Sequence, residues 1–196
     1  MQDWNRCASG AWRIVVAGVL AVVLTGCAGT IKQDLRVKGD VSKVQGVTKV
    51  TAQMSPEATK QMPDNQQFNR DELAANMRRR LEDKSLVLST AAHQVEIVVT
   101  DIRVRSSIAA ILFGPFAGND HVNGVVRLVD ANGTPVSSFV VEANYALGGV
   151  MGTDGNRMNW LYDKFSEMAV AELEKIVVAA KPAAVSAATP AGTTPR

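Results

Sequence analysis

The chain has 196 residues, of which 46% are apolar and 20% are charged, and its formal net charge is +2 at pH 7. This length fits one domain of ordinary size with short flanking segments, and the composition excludes a largely disordered chain. The nearly balanced charge argues against nucleic acid as a partner, because a basic surface would be expected for that function.

The amino terminus has the pattern of a bacterial signal segment. Arg6 and Arg13 precede the uncharged apolar run of residues 14–24, which is closed by Leu24-Thr25-Gly26-Cys27. The run is too short to cross ~30 Å of hydrocarbon, which takes roughly 20 residues, and it fits the apolar region of a signal peptide. The closing tetrad resembles the bacterial lipobox, in which the cysteine thiol receives a lipid. We therefore interpret residues 1–26 as a cleaved signal peptide and Cys27 as the lipidated first residue of the mature chain; the alternative is an ordinary secretory signal with a chance cysteine.

A lipid on Cys27 has consequences for location and for cysteine chemistry. Acyl chains on this residue would make the membrane a permanent partner. Ala28 and Gly29 follow it, rather than the aspartate that retains lipoproteins in the inner membrane, so we expect the periplasmic face of the outer membrane. Cys7 leaves with the signal peptide, so the mature domain is expected to have neither a free thiol nor a disulfide.

Patterning divides the mature chain into a tether, one domain and a tail. Residues 27–40 are polar, mixed in charge and without a clear period, which is typical of a lipidated tether. Residues 41–179 carry the periodic segments and are interpreted as one periplasmic domain. Residues 180–196 are rich in Ala, Pro and Thr, a composition that cannot bury a core and predicts a disordered tail.

Four segments of the domain are predicted to be strands. Their β-branched content, or their alternation of apolar and polar residues, is typical of strands. They lie at residues 46–53, 93–105, 122–129 and 136–145. The last two flank Asp130-Ala131-Asn132-Gly133, where Asn-Gly suits the positive φ angles of a tight reversal. These two strands are therefore predicted to form a β-hairpin.

The first predicted helix follows residues 55–63, which contain two prolines and are expected to be a connection. Asn69 and Glu72 have the spacing of a capping box, and Phe68 and Leu73 stand where a hydrophobic staple requires. The apolar stripe of the helix repeats every four residues, at Leu73, Met77 and Leu81. The basic run of residues 78–80 has two interpretations: a phosphate or anionic-lipid site, or a solvated helix face, which we favour.

A second, long helix is predicted after the glycine-rich residues 148–155, with Asp154 or Asn156 as its cap. The glycine-rich segment lacks the Gly-Lys-Ser/Thr of a phosphate-binding loop. Lys175 is placed in the last turn of the helix, where it suits the helix dipole. The apolar stripe comprises Leu161, Phe165, Met168, Ala169, Leu173 and Ile176. The order β-α-β-β-β-α predicts an α+β fold, a mostly antiparallel sheet with helices packed on one face.

Residues 114–152 carry a resemblance to a known family. Their pattern is a small turn, a valine-rich strand ending in Asp, a second turn, an apolar return strand and a glycine-rich exit, at Phe116-Ala117-Gly118, Val125–Asp130, Gly133, Phe139 and Gly148-Gly149. This resembles a family of uncharacterised proteobacterial lipoproteins, catalogued as a domain of unknown function, over residues 40–178. More remotely, the layout is similar to the amino-terminal domain of TolB, to lipoprotein activators of penicillin-binding proteins and to the curli secretion lipoprotein. The resemblance implies a fold and an envelope location but brings no catalytic residues.

Few residues have a pattern that suits catalysis. His93 and His121 have no second His or Cys at the spacing of a metal site, so we interpret them as polar strand-end residues. Asp101 and Asp130 could pair as acid and base, but each also suits a strand edge or a turn. We therefore predict no catalytic residue, no metal and no cofactor.

Residues 108–116 form an apolar connection between two predicted strands. Because loops are normally polar and exposed, this segment has two interpretations. It is a contact surface for a partner or a membrane, or it folds back over the core, which we favour. The possible partner-contact residues are Ile108, Ile111, Leu112, Phe113 and Phe116.

Together these features predict an outer-membrane lipoprotein that acts as a non-catalytic interaction or envelope-assembly module with an envelope protein as partner. The alternatives are an unrecognised cell-envelope enzyme and a subunit of a secretion complex. A pore is disfavoured, because barrel strands need about ten residues that alternate in polarity, and residues 108–116 are uniformly apolar.

Overall fold

The computed structural model describes residues 29–33, 43–105, 118–145 and 154–179. Its elements form an α+β fold, as the sequence predicts. In chain order they are β1 (Thr30–Gln33), β2 (Val44–Gln45), β3 (Lys49–Met54), α1 (Pro56–Gln61), a short 3-10 turn (Met62–Asp64), α2 (Arg70–Asp83), β4 (Gln94–Arg103), β5 (Asp120–Val129), β6 (Pro135–Tyr145), α3 (Asp154–Leu173) and β7 (Val177–Val178).

The main sheet has five strands in the order β1-β6-β5-β4-β3. Three of its four pairings are antiparallel, and β3 pairs with β4 in parallel. The parallel pair needs a long crossover, which α1 and α2 supply between these two strands. β2 and β7 form a separate parallel pair. We call the end of the main sheet where β4 and β6 finish and β5 begins the Asp120 end.

The core lies between the main sheet and the two long helices. Alternation along the strands puts one row of side chains, Ile97, Val126 and Phe139, opposite one another on the inner face, and all three are buried. α3 packs on β5 and β6, while α2 packs on β3 and on α3. Among the described residues of the opposite face, the row Val98, Val125 and Val140 is only half-buried. The helices therefore cover one face, as the sequence predicts.

The start of α2 matches the predicted cap, with one change of partner. Asn69 has extended backbone angles, and its side chain accepts hydrogen bonds from the amides of Asp71 and Glu72. Phe68 and Leu73 are both buried, as a staple requires. The Asn69 amide, however, donates to the hydroxyl of Tyr162 over 2.6 Å. The reciprocal bond that a capping box assigns to Glu72 is therefore replaced by a contact with α3.

The predicted hairpin is confirmed. β5 and β6 pair along their length, and the amide of Asp130 donates to the carbonyl of Thr134 across the turn. Gly133 takes a φ of +79°, which glycine adopts without the steric cost that a side chain imposes.

Two expectations about the first half of the domain need correction. Residues 30–33, assigned to the tether, instead form the edge strand β1, because they pair with residues 139–142 of β6. Residues 55–63 contain helix α1: Ser55 caps it and Pro56 occupies a first-turn position, where proline is tolerated.

At the carboxyl-terminal end of the domain, Lys175 and Ile176 lie beyond the last residue of α3, so Lys175 is not in the final turn. At the other end of this helix, Asn156 lies inside it rather than before it, and so does Asp154. The helix therefore ends before Ile176, the last residue of the predicted stripe, and it includes both residues that were proposed as its cap. Four of the six residues of the predicted stripe are completely buried, namely Leu161, Phe165, Ala169 and Leu173, whereas Met168 is half-buried.

Candidate functional site

A buried ionic cluster lies at the Asp120 end of the sheet. Oδ1 of Asp120 accepts two hydrogen bonds from Arg105, one from the side-chain Nε over 2.8 Å and one from the backbone amide over 3.0 Å. Arg157 donates to the other carboxylate oxygen over 2.5 Å and to the carbonyl of Arg105 over 2.8 Å. The exposed fraction of the side chain is 0% for Asp120, 4% for Arg105 and 0% for Arg157.

The cluster connects three separate parts of the chain. Both oxygens of Asp120 accept hydrogen bonds from guanidinium groups, and such charge-assisted bonds are stronger than those between neutral groups. The cluster joins the chain just after β4, the first residue of β5 and the first turn of α3. Sequence reasoning missed it, although Asp120 stands in phase with Val122 and Val126 on the inner face, where an acid is unusual.

A second polar cluster lies on the opposite face of the same end. Nε2 of His121 lies 2.8 Å from Oδ2 of Asp101, across neighbouring strands. The side-chain Nε2 of Gln61 donates a hydrogen bond to Oδ1 of Asp101 over 2.7 Å. Its Oε1 accepts one from the backbone amide of Ile102 over 2.8 Å. Asn65 adds a backbone contact by accepting from the amide of Val104 over 2.7 Å. The side chains of Gln61 and Asn65 thus bond to the end of β4, beyond the last residue that β3 pairs with.

The electrostatics of this second cluster favour a charged Asp101. Partial burial raises the pKa of its carboxyl, but the hydrogen bond from Gln61 and the interaction with His121 outweigh it, so the pKa is lowered overall. A histidine bonded to a carboxylate is an arrangement that general bases use. A pocket beside the pair is lined by Asp64, Asn65 and Arg103 among others. No group of three His, Cys, Asp or Glu side chains in the described parts of the chain could hold a metal ion.

The structure separates the other residues that the sequence singled out. His93 precedes β4 at the end of the sheet far from His121. Asp130 lies in the hairpin turn, where the amides of Thr134 and Asn132 donate to its carboxylate and lower its pKa. Asp101 and Asp130 are therefore at opposite ends of the sheet and do not form an acid–base pair.

The basic run on α2 is largely neutralised by neighbouring acids. Arg78 forms an ion pair with Glu82 at 2.7 Å, and Arg80 forms one with Asp163 of α3 at 3.2 Å. Arg79 is exposed. These contacts favour a solvated helix face over an anion site.

Two predicted sites lie outside the described residues. Cys27 precedes the first described residue, Gly29, and the apolar residues 108–116 fall between Arg105 and Gly118. Both Arg105 and Gly118 lie at the Asp120 end, since one follows β4 and the other precedes β5. Among the helices that the structure describes, none has the length and apolarity needed to cross a membrane.

Comparison with known proteins identifies a family but no activity. Residues 40–149 match the sequence family of a domain of unknown function, DUF4410. No curated protein matches. A PelC dodecamer from Paraburkholderia phytofirmans is similar in structure, with 15% identity, a TM-score of 0.42 and coverage of 70% of this chain and 94% of that one. Protein XCC0632 from Xanthomonas campestris, of family DUF330, has 13% identity, a TM-score of 0.40 and coverage of 72% and 89%.

Proposed function

The chain belongs to the family of the domain of unknown function DUF4410, and we propose that it is a non-enzymatic lipoprotein anchored in the outer membrane through Cys27. Its domain faces the periplasm and acts as an interaction or assembly module for an envelope protein. The observation that carries this proposal is the tetrad Leu24-Thr25-Gly26-Cys27 at the end of a short apolar run. The resemblance to proteobacterial lipoproteins supports the same assignment.

The position of the fold relative to Cys27 supports the anchor. β1 starts at Thr30, so Cys27 stands three residues before the first strand of the main sheet. A lipidated residue has to lie where its acyl chains can leave the domain for the bilayer.

The contacts of the two polar clusters support a non-catalytic role. Asp120 is surrounded by two guanidinium groups in the core, where its carboxylate is already fully bound. Asp101 accepts from Gln61 and contacts His121, and these bonds join α1 to the sheet. Each cluster therefore has a structural explanation that needs no substrate.

The anchor is tested by metabolic labelling with palmitate in cells. Cys27→Ser removes the only proposed lipid site, so the variant is expected to lose the label and to be soluble or unprocessed. Cys7→Ser is the matched control, because Cys7 lies in the segment to be removed, and it should keep the label. Label that persists on Cys27→Ser would contradict the anchor.

The partner contact is tested on Ile111 and Phe113, which lie outside the described residues. If residues 108–116 contact a partner, Ile111→Ser and Phe113→Ser should abolish crosslinking in intact cells while the melting temperature of the domain stays unchanged. If the segment belongs to the core, the same changes should lower stability by roughly 2–5 kcal/mol, because they remove packed apolar groups. A collapsed melting temperature would therefore return the segment to the core.

A cell-envelope enzyme is the second candidate function, and the contact between Asp101 and His121 is the observation that favours it. The test is to assay the soluble domain from residue 28 onward against envelope glycans and esters. Turnover that disappears in His121→Ala, with an unchanged melting temperature, would establish the enzyme and overturn the non-catalytic proposal. Equal, background rates for both proteins are expected.

A further inference from the structure

The main sheet begins immediately after the proposed lipid site. β1 starts at Thr30, so only Ala28 and Gly29 separate this strand from Cys27. Three residues of fully extended chain span at most about 11 Å. A link of this length cannot work as a flexible tether, whereas the sequence alone suggested one that extends to residue 40.

Gly29 and β1 are held by neighbouring elements of the fold. A Cβ atom at Gly29 would lie 2.1 Å from Sδ of Met168 on α3 and 2.9 Å from the carbonyl oxygen of Glu142 on β6. The backbone of Gly29 therefore runs in close contact with both elements. Thr30 is paired with Glu142, and the amine of Lys32 lies 2.6 Å from the Glu142 carboxylate.

The direction of β1 decides which end of the domain lies near the lipid. β1 is antiparallel to β6, and Thr30 pairs with Glu142, three residues before the end of β6 at Tyr145. The first residue of β1 is therefore near the Asp120 end, and the strand runs away from it. The hairpin turn at residues 130–133 lies at the other end, after about 30 Å of strand.

We propose that β1 fixes the orientation of the domain on the bilayer, with the Asp120 end against the lipid headgroups and the hairpin turn pointing into the periplasm. This inference rests on the proposed lipidation of Cys27 and adds the surface that meets the membrane. The partner of that surface is the headgroup region of a phospholipid leaflet, which the short link brings within reach of β1.

The experiment compares two fluorophore positions on the full lipidated protein. Asn144→Cys labels β6 near the Asp120 end and Asn132→Cys labels the hairpin turn, and the lipidated mature chain would hold no other thiol. Each protein is inserted into phosphatidylethanolamine–phosphatidylglycerol vesicles that carry an energy acceptor on the headgroup. Energy transfer is expected to be several-fold greater from position 144 than from position 132.

The control inserts a flexible Gly/Ser segment of roughly 12 residues between Ala28 and Gly29, which adds about 20 Å of root-mean-square reach. This insertion should leave lipidation intact and bring the two transfer efficiencies together. Equal transfer without the insertion, on protein that carries the acyl label, would overturn the fixed orientation and leave the proposed anchor standing. Absence of the acyl label from the unmodified protein would instead overturn the anchor and this inference with it.

Discussion

Arg157, in the first turn of α3, donates a hydrogen bond to Asp120, the first residue of β5, over 2.5 Å, and both side chains are completely buried. Arg105, just after β4, binds the other oxygen of the same carboxylate. One acidic side chain thus connects a helix with the ends of two adjacent strands. Loss of one partner from such a group leaves charges in the core without compensation, which costs more than the intact group contributes.

We therefore predict that Asp120→Asn lowers the free energy of unfolding of the soluble domain by about 3–5 kcal/mol, measured by urea denaturation. Asp163→Asn is the matched control. The Asp163 carboxylate also accepts two donors, from Asn76 and Arg80, but it is 54% exposed. Its loss should cost at most about 1 kcal/mol. Similar losses for the two variants would contradict a special role for the buried carboxylate.

A second prediction separates the packed helix from the tail. Phe165 on α3 is completely buried, and its ring would meet a Cβ at Gly124 at 3.3 Å, so it packs closely on β5. Phe165→Ala should lower stability by roughly 3–5 kcal/mol. Deletion of residues 181–196, whose composition predicts disorder, should leave the melting temperature nearly unchanged. Equal decreases in melting temperature would show that this division is wrong.

The elements that could be predicted from the sequence have strong local signals. The stripe of Leu73, Met77 and Leu81 indicates a helix by its period, and the buried positions confirm it. The Asn-Gly pair at Asn132 likewise indicates the reversal between β5 and β6. In both cases the residues that determine the element lie close together in the sequence.

The features that sequence reasoning missed depend on distant contacts. Residues 30–33 are too few to show a clear alternation, and they form a strand because they pair with β6, which lies more than 100 residues away in the sequence. The pairing of Asp120 with Arg157 has the same origin. A single sequence gives no distance between Arg105 and Arg157. The available signal was the position of Asp120 in the alternation of β5, which places its side chain on the inner face.

A third prediction concerns pH and rests on the lowered pKa of Asp101. A group whose folded pKa lies below its unfolded value, about 3.9 for Asp, stabilises the fold fully above the unfolded value. That contribution is lost as the pH falls through the folded pKa. The free-energy difference between wild type and Asp101→Asn should therefore shrink as the pH falls below about 5.

The magnitude of this difference is limited by exposure. The Asp101 side chain is 43% exposed, so solvent screening holds the expected contribution to at most about 1 kcal/mol. Urea denaturation of both proteins from pH 5 to pH 3 provides the measurement. A difference that stays constant to pH 3, or grows with acid, would show that the carboxylate of Asp101 is not stabilised by its contacts with Gln61 and His121.

The last prediction concerns the close packing of Gly29. In the soluble domain from residue 28, Gly29→Ala would put a methyl group 2.9 Å from the backbone oxygen of Glu142, which cannot move without disturbing β6. We expect the pairing of β1 to loosen, with faster amide hydrogen exchange over residues 30–33 and a lower melting temperature. Gly155→Ala is the control, because nothing lies within 4 Å of a Cβ there and the residue is helical. Alanine in α3 should raise stability by about 0.5–1 kcal/mol. Unchanged exchange in β1 for Gly29→Ala would mean that the strand tolerates a side chain at its start and that Gly29 does not hold it in place.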